Sequence, residues 1–454
     1  MLRVFYLLIF IGALASCKPN SPEFGLAPTQ LRFSADTIYF DTLLSTVTSI
    51  TKRLRVYNKE TKAVTISHIG ITNSSNAFSI IVNGVEGNDF KDTDLLAGDS
   101  LLILLKANLK EQNQNLSFVV EEALQFSTNG LEQQIPVIAW GQDAHFLRDS
   151  ILVCNTIWTA GKPYVIYDNI LVDSLCLLSV EPGTRIFSHI GSSIYIKGTI
   201  ESKGNAQSPV LFINDRFDNG FDNAPGQWGG IVFLEGSKSN TMDFTHIRNA
   251  QIGIWLGTPD DDNVPDLVMN NSIIENTSGS GILSFSSDLT LTNCLINNCV
   301  EFNVAGLAGG NYIFKHSTFA NFGYGFFRNS PLMVFTNNLQ LSDGSVISED
   351  LNASIENSIV WGNQDEELQF SDAEGKVFNV SFINNLLKTQ IVEMEVDNIL
   401  NMDPLFTESS AYNYRIDSLS PAIDVGINLN VLIDLDSLVR DNKPDIGAYE
   451  WRQN

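Results

Sequence analysis

The sequence predicts an all-β protein in which a β-sandwich is followed by a parallel β-helix. Three observations lead to this prediction: a phrase that recurs at intervals of 22 to 27 residues, short alternating apolar runs in the first third, and turn-forming residues between them. A repeat of this length, rich in β-branched and aromatic residues, is typical of a solenoid whose coils are made of strands. Helical repeats are longer and require a helical spacing of apolar residues, which is absent here.

The repeated phrase places a large apolar residue at one fixed point in each unit. The residues at that point are Ile247, Ile274, Ile296, Phe319, Val360 and Leu387. They lie 27, 22, 23, 41 and 27 residues apart, and the long fourth interval predicts an insert near residues 332–351.

An asparagine follows the apolar residue by two positions in four of the units. Steps of two keep strand side chains on the same face, so these amides should stack coil over coil as a ladder at a turn. The predicted ladder consists of Asn249, Asn276, Asn298 and Asn321.

Composition limits the classes of partner. The chain has 454 residues, 44% of them hydrophobic, which is enough for two or three domains with packed cores. Its formal net charge of -25 argues against nucleic acid and against anionic lipid, since both are bound by clustered Lys and Arg. The same charge disfavours anionic polysaccharides unless a cation mediates.

The N-terminus carries the most specific signal. Arg3 precedes an apolar run over residues 4–14, too short to span a membrane, and Leu14-Ala-Ser-Cys17 resembles the lipobox of bacterial lipoproteins. The resemblance implies a signal peptide over residues 1–16, acyl chains on Cys17 that anchor the protein to a membrane, and a tether over residues 17–26. We expect the protein to reside in the cell envelope, anchored to the outer membrane. The sequence does not define which face of that membrane carries it. The alternative is an ordinary secretory signal with a chance cysteine.

Residues 27–143 carry alternating apolar runs at the rhythm of a β-sandwich. Their phrases, among them Tyr39-Phe-Asp41 and Leu96-Ala-Gly-Asp-Ser100, resemble the immunoglobulin-like domains related to the abnormal-spindle and hydin families. That resemblance implies a binding or spacer module without catalysis.

Residues 144–400 should form the solenoid, and residues 401–454 a segment that covers its last coil. Glu181-Pro-Gly183 and Trp228-Gly-Gly-Ile231 resemble the corners and coil starts of bacterial right-handed parallel β-helix repeat proteins, whose fold is that of pectate lyase. Asp445-Ile-Gly-Ala-Tyr-Glu450 is similar to the C-terminal segment of the choice-of-anchor Q proteins.

Two acidic stretches are candidate cation or ligand sites, because carboxylate oxygens are the ligands that Ca²⁺ prefers. The candidate residues are Asp215, Arg216, Asp218, Asp222, Asp260, Asp261 and Asp262. Neither stretch matches a known calcium-binding consensus, and a solvated acidic loop is the favoured interpretation of both. The four motifs of polygalacturonase-like glycosidases are missing, and a calcium-assisted lyase would need a Lys or Arg base beside such carboxylates.

The sequence does not decide the oxidation state of the four cysteines other than Cys17. Cys154, Cys176, Cys294 and Cys299 could form disulfides in an oxidising envelope. Cys294 and Cys299 are five apart, which predicts side chains on opposite faces if the strand runs straight. No Cys/His cluster indicates a metal site.

Two classes of function remain open at this stage. The first is a non-catalytic envelope lipoprotein whose β-helix binds glycans or other surface partners. The second is a carbohydrate-active enzyme, either a calcium-assisted polysaccharide lyase or a glycoside hydrolase. The absence of a recognisable acid, base and cation site across neighbouring coils favours the first.

Overall fold

The computed structural model describes residues 22–72, 75–216, 220–257 and 264–453. The chain divides into two compact units, with the division between Asp143 and Ala144. Across the described ranges, no helix is both long enough and apolar enough to cross a bilayer. Cys17 and the predicted signal peptide lie outside the described residues.

The first unit is a sandwich of two sheets, each of five strands in the described part of the chain. In sheet order, the first contains Arg32–Phe33, Lys52–Tyr57, Ser100–Ala107, Phe78–Val82 and Val85–Gly87. The second contains Ile38–Leu44, Leu131–Gln142, Phe118–Thr128, Val64–Ile71 and Asp89–Leu95. In strands such as Ser100–Ala107, alternate residues point inward, as Leu101, Ile103 and Leu105 do, and the two inner faces form one core.

The second unit is a three-sided right-handed parallel β-helix, built from coils that contribute one strand to each side. Face 1 contains Arg185–Ser188, Val210–Asn214, Thr245–Arg248, Ile273–Thr277, Leu295–Cys299, Thr318–Asn321, Ile359–Gly362, Leu386–Leu387 and Ile399–Leu400. Face 2 contains Ser193–Ile196, Gly230–Phe233, Ile254–Leu256, Met333–Thr336 and Leu368–Ser371. Face 3 contains Thr156–Trp158, Leu177–Val180, Thr199–Lys203, Asn240–Asp243, Leu267–Asn270, Leu351–Glu356 and Phe378–Ile383.

Four longer strands bend around a corner and belong to two faces. His145–Ile151 and Tyr164–Val172 run from face 1 to face 2, whereas Ile282–Thr292 and Val304–Lys315 run from face 2 to face 3. The remaining strands and short helices are Asn338–Gln340, Val346–Ser348, Val392–Val396, Phe406–Glu408, Ser409–Ala411 and Asn413–Ile416.

The aligned apolar residues of the repeat are stacked neighbours, which confirms the solenoid. Ile247 pairs with Ile274, and Ile274 pairs with Ile296. The column continues through Phe319 and Val360 to Leu387. All six side chains are buried in the core of the β-helix. Vertical contact between equivalent apolar side chains therefore sets the register of successive coils.

The long fourth interval contains a hairpin rather than one continuous insert. Asn338–Gln340 and Val346–Ser348 pair antiparallel outside the β-helix. Met333–Thr336 lies inside the predicted insert but is an ordinary face 2 strand that pairs with Val304–Lys315. Because this strand is short and follows a loop, its place in the repeat was not visible from the aligned phrases.

Asparagines turn the chain at both ends of the repeated phrase. Asn271, Asn293 and Asn357 precede face 1 strands and have φ of 48°, 52° and 48°. Asn276 and Asn298 are the second-last residues of two face 1 strands, with φ of 57° and 53°. Asparagine tolerates this left-handed conformation better than most residues, which explains why the repeat is bounded by it.

The cysteines separate into a bonded pair and a reduced pair. Cys154 and Cys176 form a disulfide between consecutive coils. Cys294 and Cys299 are free, and both are buried in the core rather than on opposite faces. The expectation of opposite faces required a straight strand, and this condition is not met, because Asn298 turns the chain just before Cys299. Burial raises the pKa of both thiols to about 12, so they stay protonated.

The C-terminal segment covers the outside of face 1. Tyr414 and Tyr449 pack on Leu295 and Ala320, and a second cluster joins Ile416, Ala422 and Ile446 to Ile359, Trp361 and Leu386. These outward residues of face 1 are apolar, and a bare solenoid would expose them to water. The last coil is contacted by Met394, which precedes the segment and packs against the end of the core. Most of this segment therefore covers the side of the solenoid, whereas the sequence predicted that it would cover the last coil.

A buried arginine and a buried histidine attach the segment to the corner asparagines. Arg440 donates to Glu450 Oε2 at 2.9 Å and to Asn293 Oδ1 at 3.0 Å. His316, which replaces asparagine at the first position of its repeat, lies with Nδ1 3.2 Å from the Asp445 carbonyl and Nε2 2.9 Å from Asn357 Nδ2. A neutral imidazole satisfies both contacts, by donating from Nδ1 and accepting at Nε2.

We predict that His316→Asn reduces the loss of stability in acid. Burial, and then the charge of Arg440, lower the pKa of His316 from 6.5 to about 3. The unfolded chain takes up this proton near pH 6.5 and the folded chain does not, so the stabilisation is complete above pH 6.5 and is lost as pH falls toward 3. Between pH 8 and pH 5 the parent should lose about 2 kcal/mol more unfolding free energy than the variant.

Urea unfolding of both proteins at the two pH values measures this difference. Asparagine is the matched replacement, because it occupies the same repeat position in neighbouring coils and tolerates the φ of 46° found at His316. Equal losses in the two proteins would contradict a buried neutral histidine.

Candidate glycan-binding face

The described residues of the first acidic stretch do not converge on one centre. Asp215 Oδ2 lies 2.7 Å from His189 Nδ1 on the preceding coil. The guanidinium carbon of Arg216 lies 3.4 Å above the ring centre of Phe221. Asp222 is exposed to solvent. The charged groups that are adjacent in sequence are therefore drawn to different partners.

The remaining candidate carboxylates are not placed by the structure. Asp218, Asp260, Asp261 and Asp262 lie outside the described residues. Within the ranges that are described, no three His, Cys, Asp or Glu side chains are grouped as ligands of a metal ion. The calcium hypothesis consequently has no ligand set in the described part of the chain.

The predicted ladder residues are buried at the corner after face 1, but only part of the expected bonding is present. Asn298 donates to Asn276 Oδ1 at 2.5 Å, as a ladder requires. Asn249 donates instead to Asn214 Oδ1 at 2.7 Å, and Asn321 to the Cys299 carbonyl at 2.5 Å. The coils differ in the length of the loop that leaves this corner, so the amides meet different neighbours.

An exposed row of polar side chains runs along face 3. Asn311 Nδ2 donates to Asp288 Oδ1 at 2.7 Å, Asn352 Nδ2 to Asn311 Oδ1 at 3.1 Å, and Asn379 Nδ2 to Asn352 Oδ1 at 3.0 Å. These residues are direct neighbours in the registers of the three strand pairs. The row therefore presents one polar group per coil, at the inter-strand spacing of about 4.8 Å.

Each amide in the middle of the row keeps half of its hydrogen-bonding capacity for solvent. A side-chain amide has two N–H donors and two acceptor lone pairs. Asn311 and Asn352 each spend one donor and one lone pair on their neighbours in the row. One donor and one acceptor per coil thus remain exposed in fixed order, a pattern that matches hydroxyl groups, which both donate and accept.

Two further outward rows widen this surface. The second row lies two positions after the first on each strand and consists of Thr290, Ile313, Ser354 and Ser381. The third row lies two positions after the second and consists of Thr292, Lys315, Glu356 and Ile383. A shallow groove is lined by Asn311, Asn352, Asn379, Ile313 and Phe378 among others. We call these three rows the polar face. Ile313, 43% exposed, supplies an apolar contact between the amides and the hydroxyls.

Four aromatic residues with rings large enough to stack on a sugar are divided between surface and interior. Trp255 is 39% exposed on face 2, and Phe327 is 84% exposed. Trp361 is buried under the C-terminal segment, with Lys388 Nζ 5.3 Å from its ring centre. Phe326 is half-buried. None of these four lines the groove of the polar face.

The row on the polar face was missed by the sequence reasoning, although a signal for it exists. Asp288, Asn311, Asn352 and Asn379 each stand five positions before the first residue of a repeated phrase, at Asn293, His316, Asn357 and Asn384. Extending the aligned phrases backward by five residues would have shown the column. The alignment would not have shown that this column is exposed, because the buried ladder also consists of asparagines.

Comparison with known proteins supports the fold. A family model described as a right handed beta helix region matches residues 166–319. No curated protein sequence matches this chain significantly.

Several solved structures are similar to this chain at low sequence identity. The mannuronan C-5 epimerase AlgE4 A-module of Azotobacter vinelandii is 12% identical, with 58% of this chain and 88% of that chain covered and a TM-score of 0.34. Pectate lyase Pel9A is 9% identical, with 65% and 89% covered and a TM-score of 0.28. Vibrio cholerae VesB protease is 17% identical over 25% of this chain and 31% of that chain, with a TM-score of 0.17. This chain thus spans less than two thirds of the protease, and likenesses this weak carry no conclusion about activity.

Proposed function

We propose that this protein is an envelope lipoprotein that binds glycans on the polar face without cleaving them. The observation that supports the proposal is the exposed row from Asp288 to Asn379, in which Asn311 and Asn352 each keep one donor and one acceptor free for a ligand. An extended glycan repeats its hydroxyl groups over a similar distance. A chain lying along the solenoid axis could therefore make equivalent hydrogen bonds to successive coils.

Charge favours a neutral glycan as the ligand. Ionisable groups on the polar face are Asp288, Lys315 and Glu356, so the face has no excess of positive charge. The whole chain carries -25. A polyanion would be repelled by this field, whereas a neutral sugar is bound through hydrogen bonds and apolar contact.

The rest of the chain suits presentation of this face at a membrane. In the proposal, Cys17 carries the acyl chains, the following residues form the tether, and the sandwich is an immunoglobulin-like spacer. The proposed location is the cell envelope, at the outer membrane, with the face left open.

A carbohydrate-active enzyme is the second candidate, favoured by the contact between His189 and Asp215. The carboxylate at Nδ1 leaves Nε2 available, and the side chain is 45% exposed. A carboxylate-oriented imidazole can act as a general base. The β-helix fold also occurs in a pectate lyase and a glycoside hydrolase, but fold alone does not determine function.

We predict that Asn352→Ala weakens glycan binding at least fivefold. Asn352 lies in the middle of the row, and its removal eliminates the hydrogen bonds to both Asn311 and Asn379 as well as its own solvent-facing donor and acceptor. Loss of one or two such bonds costs about 1 to 3 kcal/mol. Affinities of parent and variant are compared on a glycan array of neutral polysaccharides, with and without Ca²⁺.

Asn115→Ala is the matched control, because Asn115 is an exposed asparagine in the other unit. Equal binding by Asn352→Ala and the parent, or no glycan retained by the parent, would remove the polar face as the site. Release of shortened or unsaturated sugars that stops in His189→Ala would favour the enzyme instead.

We predict that Cys17→Ser moves the protein from the membrane fraction to the soluble fraction of the producing bacterium. Serine cannot take the thioether-linked lipid, and the remaining chain offers no described helix that spans a bilayer. Fractionation followed by immunoblotting measures the distribution. A variant that stays with the membrane after a high-salt wash would exclude the lipid anchor.

A further inference from the structure

A crevice of about 200 Å³ lies where the C-terminal segment stops covering face 1. The solenoid contributes Ala206, Pro209, Phe244, Thr245, His246, Asn271 and Ile273, and the C-terminal segment contributes Arg415, Leu435, Asp436 and Tyr449. The volume is below the roughly 300 to 1,000 Å³ of sites for drug-sized ligands, so it suits a molecule as small as one sugar ring.

Two polar groups in this crevice have no protein partner. Tyr449 is 6% exposed, and its hydroxyl makes no hydrogen bond within the described ranges. His246 Nε2 lies 3.1 Å from Glu275 Oε1, which leaves Nδ1 without a partner among the residues described. Both atoms open onto the crevice, so a molecule that enters it can make hydrogen bonds to them in place of solvent.

The charges around the crevice are already paired within the protein. Arg415 holds Asp436 through two bonds, from Nε at 2.7 Å and from Nη2 at 2.5 Å. Arg248 Nε lies 2.6 Å from Glu275 Oε1. Burial acts to raise the pKa of the Glu275 carboxyl, but the nearby His246 and Arg248 outweigh it, so the pKa is lowered and the carboxylate is ionised. With each of these charges matched, a neutral ligand is favoured over an ion.

We propose that the crevice binds a single neutral pyranose ring. Phe244, Pro209 and Leu435 offer apolar contact to the C–H groups of the ring. Tyr449, His246 and Asp436 offer hydrogen bonds to its hydroxyls. The ring belongs either to a free monosaccharide or to the end of a glycan chain. This site is separate from the polar face, since it lies on face 1 and shares none of the residues of the three rows.

The probes are the methyl glycosides of glucose, galactose and mannose, together with a linear tetrasaccharide of each sugar. Binding to the full mature protein is measured by calorimetry and by saturation-transfer NMR. At least one probe should bind with a Kd on the order of 1 mM, the range expected for a ligand of this size. Saturation confined to one terminal ring of a tetrasaccharide identifies a chain end, and binding of methyl glycosides alone identifies a monosaccharide.

Two variants test the location. Ala206→Trp fills the crevice from an exposed turn without removing a polar group, and Asp436→Ala removes one of the hydrogen-bonding walls. Each should weaken binding at least tenfold with the unfolding midpoint kept close to that of the parent. Asp417→Asn, an exposed change outside the crevice, should leave this binding unchanged.

The proposal is overturned if none of the six probes binds, or if binding survives Ala206→Trp. It is equally overturned if Asn352→Ala abolishes the binding, because the sugars would then occupy the polar face. Glycan binding that depends on Asn352 alone would therefore support the proposed function and reject the crevice.

Discussion

The structure of the second unit depends on equivalent side chains being in contact from coil to coil. Ile247, Ile274 and Ile296 are direct register neighbours, and each side chain packs on the equivalent side chain of the preceding coil. A shift of one residue in any strand would turn its apolar residues outward and its polar residues inward. The same register aligns the outward side chains of successive coils in rows, including the row from Asp288 to Asn379.

The corners are as important to this arrangement as the core. A chain that turns three times per coil must leave the strand conformation repeatedly, and it does so at asparagines with positive φ such as Asn271 and Asn298. Their amides bond to neighbouring coils, so the residue that permits the turn also replaces the lost backbone bonds. His316 fulfils this role where the C-terminal segment docks, and it does so only as a neutral imidazole.

The C-terminal segment changes what face 1 can do. It buries apolar residues such as Leu295 and Ile359, and it brings Arg440 against Asn293 from a position far along the chain. Burying an ion pair of this kind costs desolvation free energy. Because the pair is satisfied in only one geometry, it favours a single docking position of the segment. The polar face is left free, and a crevice forms where the segment ends. Both candidate sites thus result from where one segment lies.

The sequence by itself determined the repeat, the column of stacked apolar residues, the sandwich ahead of the solenoid and the asparagine-bounded corners, because each of these is a periodic or local property of the chain. Only the tertiary structure decided that Asp215 meets His189 rather than Arg216, that Cys299 is buried, that face 1 is covered, and that the row from Asp288 to Asn379 is exposed. These features depend on distances between residues that are remote in sequence, and on which face a returning segment covers. Residue type and spacing carry no information about either.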